Sequence, residues 1–311
     1  MTPHRIALIG LGKIAQDQHQ PVIAKNADFK LAAVSSQRGV EAAGARSFRS
    51  HEELFAGTPG LDAVSICTPP QPRYAIARGA LAAGLHVMLE KPPTATLSEL
   101  ADLQRFADER GLVLMTTWHS QYNAGVDEAK RLLAGKQVQR LFVNWKEDVR
   151  KWHPGQAWIW QAGGFGVFDP GINALSIVTK IMPEPVFVTS AELLFPANAD
   201  APIAASLELA TGGRSGGFKA ELDWRPIDRE VWEITAETAD GLKVHLASGG
   251  ARLEVNGSLV VEETPREYEA IYAHFSRLLA SGTSHVDPQP FRLVADAFLI
   301  GQRREAEPFQ G

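Results

Sequence analysis

Apolar residues first run without interruption at Ile6-Ala7-Leu8-Ile9. That run is too short for a helix and too continuous for a strand with one wet face, so it predicts a strand buried on both sides. Strand-like runs at 29–35, 63–67, 87–89 and 112–116 alternate with helix-like stretches at 74–83 and 97–109. Two helix starts carry capping-box spacing, Ser50 with Glu53 and Thr96 with Glu99. Strand alternating with helix at this interval predicts a parallel, doubly wound α/β sheet over the first 117 residues.

The rhythm changes near residue 120. A helical segment at 123–133 and a strand at 138–145 are followed, from 186 to 261, by strand-like segments broken at Gly212-Gly213, Gly216-Gly217, Asp240-Gly241, Gly249-Gly250 and Asn256-Gly257. Asp-Gly and Asn-Gly tolerate positive φ and make hairpin turns, so this half reads as α+β on a mostly antiparallel open sheet. Thr264-Pro265-Arg266-Glu267 has the cap, the proline and the acid of a helix start, and 293–300 predicts the last helix. The expected domains are 1–121, a nucleotide-binding unit, and 122–311, a substrate and oligomerisation unit.

Composition narrows the classes. The formal net charge of −5 argues against nucleic acid or an anionic membrane as the main partner, and no apolar run approaches the roughly 20 residues of a bilayer span. The expected location is the cytoplasm. A single cysteine, Cys67, excludes an intrachain disulfide and reads as a small core residue. The histidines lack zinc-ligand spacing, so no metal is expected.

The first strand ends in Gly10-Leu11-Gly12-Lys13-Ile14-Ala15. In a G-x-G-x-x-A turn the first glycine allows the bend, the second lets a pyrophosphate approach the backbone, and the following helix start offers free N–H groups, here from Lys13 and Ile14. The second strand runs into Ser36-Gln37-Arg38, where an NAD-selective site places an acid. With an arginine and a serine there instead, a 2′-phosphate is favoured, which predicts NADP as the cofactor and NAD as an alternative. Val87-Met88-Leu89-Glu90-Lys91-Pro92-Pro93 is an apolar strand that ends in a lysine held at a proline corner.

These motifs resemble the Gfo/Idh/MocA oxidoreductase family: the glycine turn followed by His19-x-Pro21, the Cys67-Thr68-Pro69-Pro70 loop, and Gly84 through Pro92. The resemblance spans essentially the whole chain. It implies that Thr68, Pro69 and Glu90 line the cofactor and that Lys91 projects toward the nicotinamide.

Candidate substrate chemistry is densest in Asn144 through Pro154. Trp145 and Trp152 flank Glu147 in sequence and read as a surface for stacking on a sugar ring, with Glu147 and His153 bonding its hydroxyls. Trp232 is a further ring contact, and His119 lies where ligand groups gather in open α/β sheets. Farther on, Gly163-Gly164 precedes Asp169 and Asn173, one helical turn apart. That motif resembles the family's G-G-x-x-x-D-x-x-x-H with Asn173 in place of its histidine, so the proton chemistry implied for that histidine falls to Lys91 or Asp169. The Trp-Lys-Glu-Asp and Trp-His-Pro-Gly stretches resemble the branch of the family that oxidises L-arabinose and D-galactose. The expected reaction is therefore NADP-dependent oxidation of a cyclic aldose at C1 to the lactone by a homodimeric enzyme. The alternatives are a sugar or cyclitol dehydrogenase acting at another carbon, and a non-catalytic sugar-binding regulator.

Overall fold

The computed structural model describes residues 2–310. Strands β1 (His4–Ile9), β2 (Phe29–Ser35), β3 (Arg46–Phe48), β4 (Ala63–Ile66), β5 (His86–Leu89) and β6 (Leu114–Thr116) form one sheet in the order β3-β2-β1-β4-β5-β6. Every neighbouring pair is parallel; a loop links β2 to β3, and helices α1 (Gln20–Lys25), α2 (His51–Gly57), α3 (Pro70–Ala82) and α4 (Leu97–Glu109) lie in the other connections. The continuous apolar runs have the predicted consequence: Ile6, Leu8, Val34, Val64, Val87 and Leu114 are fully buried. Thr96 and Glu99 close both halves of their capping box. The strand order reverses between β1 and β4, so the loops that follow these two strands open at the switch point where ligands bind in such sheets.

The second sheet is built from β7 (Val138–Lys146), β8 (Val186–Pro196), β9 (Ala204–Thr211), β10 (Arg214–Asp223), β11 (Val231–Thr238), β12 (Lys243–Ala247), β13 (Arg252–Val255) and β14 (Ser258–Glu262). It also takes in β15 (Gln302–Ala306), and its order is β14-β13-β12-β11-β7-β10-β9-β8-β15. It is mostly antiparallel, but β10 runs parallel to β7 and β15 parallel to β8. Alternation along β7 buries Leu141, Val143 and Trp145 on one face and leaves Phe142 44% exposed on the other. The covered face packs under α5 (Ala124–Leu133), α7 (Phe168–Ile181) and α9 (Gln289–Ile300), while α6 (Val149–Trp152) is a single turn just after β7. Asp240-Gly241 and Asn256-Gly257 make the expected hairpins, with positive φ at Asn256, Gly241 and Gly257. Gly216-Gly217 lies instead inside β10, where the pairing with β9 slips register in a bulge.

Helix α8 (Glu267–Ser281) starts at Glu267, two residues beyond the expected proline, and returns to the first sheet. Phe29 of β2 stacks on Phe275 and meets Tyr272 edge-on. Two compact units result: the chain up to Trp118 with Tyr268–Pro288, and His119–Glu267 with the chain from Gln289 onward. The first unit therefore includes a segment far along the sequence, beside the expected simple break after residue 121. No helix among the described residues is long and apolar enough to cross a membrane.

Candidate functional site

The first unit carries the nucleotide features. Gly10 has φ +89°, and a β-carbon there would lie 2.8 Å from the Thr68 backbone nitrogen, so only glycine lets the β1 turn pass the Thr68-Pro69 loop. A β-carbon on Gly12 would meet nothing within 4 Å. That open space borders the first helical turn, which begins at Lys13 and passes through a π-helical turn, Ala15–His19, into α1. Its early N–H groups lack intrahelical acceptors, and the cradle fits a pyrophosphate. Past β2, Ser36 is buried and its hydroxyl accepts from the Val40 N–H at 3.3 Å, while Gln37 and Arg38 are exposed. Arg49 donates to the Gln37 carbonyl at 3.5 Å, a second cation that sequence reading passed over. No carboxylate stands in Ser35-Ser36-Gln37-Arg38-Gly39.

Lys91 is positioned from below. Its backbone N–H donates to Glu90 Oε2 at 2.9 Å, and Glu90 Oε1 accepts from Tyr268 Oη at 2.8 Å and faces His19 Nε2 at 3.0 Å. The other His19 nitrogen lies 2.9 Å from Tyr272 Oη and 3.3 Å from Ser65 Oγ. His19 is fully buried and Glu90 nearly so. Burial alone depresses the imidazole, but Cys67, Tyr272 and Glu90 outweigh it and raise His19 well above its ordinary value. The buried Arg73 of α3 donates to the carbonyls of Thr68, Glu90 and Pro92, tying the loop after β4 to the corner after β5. Arg73 was missed because it lies ahead of the helical stretch read from residue 74, and no local pattern marks it as buried. Cys67 is half-buried rather than a core residue.

The second unit gathers the candidate substrate groups. Glu147 follows β7 and is buried, with Oε1 accepting from Trp224 Nε1 at 3.2 Å and Oε2 from Trp232 Nε1 at 2.9 Å. Two indoles thus fix the plane of its carboxylate. Trp232 meets Trp152 edge-on with centroids 5.8 Å apart, and the Trp152 indole donates to Glu230. His153, which ends α6, packs edge-on to Trp224 at 5.0 Å and places Nε2 3.2 Å from Asp169 Oδ2. Asp169 lies in the first turn of α7, where a negative charge also meets the positive helix end. Asn173 follows one turn later, half-buried, with no hydrogen bond to its side-chain amide among the described residues. Asp169, His153, Trp224, Glu147, Trp232 and Trp152 therefore form one continuous cluster.

Two sequence expectations change. Trp145 does not share a surface with Trp152: it is 95% buried under the helices, and its place beside Glu147 is taken by Trp224. Trp224 follows β10, whose parallel register sets Leu222 opposite Trp145 and so brings Trp224 level with Glu147. The capping pattern at Thr264 also fails, because the Glu267 carboxylate turns to Asn123 Nδ2 at 3.0 Å and to His119 Nδ1 at 3.4 Å. Burial pushes that carboxyl up, and the His119 and Asn123 contacts outweigh it and hold it below its ordinary value. His119 thus sits in a part-buried pair at the foot of α5.

Comparison with known proteins agrees with this division. Residues 4–118 match the model of the oxidoreductase family with an NAD-binding Rossmann fold, Gfo/Idh/MocA. Galactose 1-dehydrogenase of Pseudomonas fluorescens is 46% identical over 309 residues, 99% of either chain. The crystal structure of a D-galactose-1-dehydrogenase from Rhizobium etli superposes with a TM-score of 0.94 at 50% identity, covering 100% of this chain and 99% of that one. A 3-ketoreductase from Actinomadura kijaniata, at 17% identity and TM-score 0.85 over 98% of this chain and 99% of its own, shares the fold. With the glycine turn, the Glu90-Lys91-Pro92 corner and likeness along the full length in agreement, the chain belongs to the Gfo/Idh/MocA family of oxidoreductases.

Proposed function

We propose that this protein is an NADP-preferring aldose 1-dehydrogenase that oxidises the cyclic form of D-galactose or L-arabinose at C1 to the lactone. The observation that carries the reading is the oriented carboxylate of Glu147, held by two indole N–H groups inside a ring of tryptophans. Such a group accepts bonds from sugar hydroxyls in a fixed direction, and the aromatic walls match the apolar face of a pyranose. The full-length likeness to galactose 1-dehydrogenase supports the same substrate class.

In this reading Gly10, Gly12, Lys13, Ile14, Thr68, Pro69 and Glu90 hold the cofactor, which when bound accepts the hydride leaving C1. Lys91 and Asp169 are assigned to the proton that leaves O1, and Asn173 to holding O1 in line. Glu147, His153, Trp152, Trp232 and His119 position the rest of the sugar. The sheet face that exposes Phe142 and Phe187 is assigned to pairing with a second copy. The experiment is a panel of aldoses with NADP, read as absorbance of the reduced cofactor: turnover with galactose or arabinose is expected. Binding without reduction across the whole panel would move the weight to a sugar-binding regulator.

Cofactor choice has its own test. Ser36, Gln37 and Arg38 offer donors and a cation but no acid to the ribose, so Arg38→Ala should weaken NADP by about 1.5–3 kcal/mol, as loss of a charge-assisted bond does. NAD affinity should hardly change. Titration of both cofactors into wild type and variant reads this directly, and equal losses would refute the 2′-phosphate role.

A further inference from the structure

We propose that Arg49 is a second specificity-determining residue for the cofactor, bringing its guanidinium to the 2′-phosphate beside Arg38. The proposal rests on the NADP reading and assigns that selectivity to the ends of two strands instead of one. Strand β3 pairs with β2 in parallel, with Phe48 opposite Ser35, and the ladder runs on as the Ser36 N–H donates to the Phe48 carbonyl at 3.1 Å. Arg49 therefore stands level with Ser36, at the sheet end where the ribose of a dinucleotide is read. Its guanidinium reaches back across the turn after β2, where Nη1 donates to the Gln37 carbonyl at 3.5 Å. Gly39 makes room for it. A β-carbon at Gly39, whose φ is +71°, would overlap the guanidinium carbon and both terminal nitrogens of Arg49. The turn and the arginine of the neighbouring strand are thus shaped to each other.

What this guanidinium lacks is an acid. Among the described residues neither Arg38 nor Arg49 forms an ion pair. Arginines elsewhere do: Arg78 pairs with Asp102, Arg131 with Glu128, Arg225 with Asp223 and Arg252 with Glu254. Arg46, at the start of β3, is committed as well, donating to the Gly57 carbonyl and lying over the Phe48 ring at 5.2 Å. Two carboxylates, Glu41 and Glu53, line the cleft beside Arg49. Glu53 is turned to the backbone, where its Oε2 accepts from the Arg49 N–H at 3.3 Å and its own N–H donates to Ser50 Oγ at 3.2 Å, as at the start of a capped helix. Arg38 and Arg49 are both exposed, and they flank one turn in a chain of net charge −5. Two such cations without carboxylates make a site for a dianion, and the planar fork of an arginine fits phosphate oxygens two at a time. The single long bond to the Gln37 carbonyl uses one N–H of Arg49 and leaves the others for that anion.

Calorimetric titration of cofactor into the full-length protein, without sugar, tests the assignment. Arg49→Gln keeps a donor for the Gln37 carbonyl and removes the charge. It should weaken NADP about 10- to 100-fold, as loss of a charge-assisted bond does, and change NAD by less than about twofold. The fragments 2′,5′-ADP and 5′-AMP differ only in the 2′-phosphate and should divide in the same way. Arg38→Ala combined with Arg49→Gln should leave NADP bound no more tightly than NAD. Equal losses for NADP and NAD in Arg49→Gln would make Arg49 a support of the turn and overturn the proposal. It would also be overturned by an Arg49→Gln protein with unchanged NADP affinity while Arg38→Ala alone abolishes the preference, a result that leaves the NADP reading standing. A wild type that binds NAD as tightly as NADP would overturn both.

Discussion

Lys91→Ala should lower kcat by at least about 100-fold, the low end for a positioned acid or base, while the affinity for NADP stays within about a factor of three. The reason lies in how the side chain is delivered. Lys91 follows the fully buried Val87-Met88-Leu89 of β5, its N–H is held by Glu90, and the adjoining carbonyls of Glu90 and Pro92 are clamped by the buried Arg73. The corner is thus fixed through its backbone, and truncating the lysine side chain removes none of those bonds. The glycine turn and the Ser36-Gln37-Arg38 segment, which bind the nucleotide in this account, are untouched. Cofactor titration together with steady-state rates separates the outcomes. A near wild-type kcat would make Lys91 an ordinary surface residue at a strand end.

His19→Leu should destabilise the protein by about 3 kcal/mol, the low end for breaking a buried charged pair, because Glu90 would keep its bonds from Tyr268 and Lys91 but lose its cation. This loss should depend on pH with a definite sign. An unfolded histidine releases its proton near pH 6.5. The folded His19 is raised well above its ordinary value and releases it at higher pH, so between the two only the native state holds the proton. Stability from this group is fully present below the unfolded value and is lost as pH rises through the folded one. The gap in urea midpoint between wild type and His19→Leu should accordingly be widest in mild acid and narrow toward alkaline pH. A gap that stays constant with pH, or one under about 1 kcal/mol, would show that His19 is neutral in the fold.

What the sequence revealed and what it hid follow from the range of the interactions. The β1 turn, the capping box at Thr96 and the hairpins at Asp240-Gly241 and Asn256-Gly257 were legible because each is set by residues a few positions apart. The proline corner at Lys91 was legible for the same reason. Trp224 was not, because its place beside Glu147, 77 positions away in sequence, depends on the parallel register of β7 and β10. β15 was not either: Gln302-Arg303-Arg304-Glu305 has no apolar alternation and is a strand only because β8 offers it an edge. His19 was legible only as part of a motif, and nothing local marked Arg73 at all; only the fold shows them buried against Glu90 and backbone carbonyls. For Asp169 the local motif gave the helix position, whereas its contact with His153 bridges a loop of tight glycines. A β-carbon on Gly164 would lie 2.4 Å from the Trp158 carbonyl oxygen.

The central claim is oxidation at C1, and product identity tests it most directly. With 13C-labelled D-galactose or L-arabinose and NADP, NMR should show the C1 resonance converted to that of the lactone carbonyl, followed by slow hydrolysis to the aldonate, with one reduced cofactor formed per sugar. A ketose, or label chemistry showing oxidation at any carbon other than C1, would contradict it.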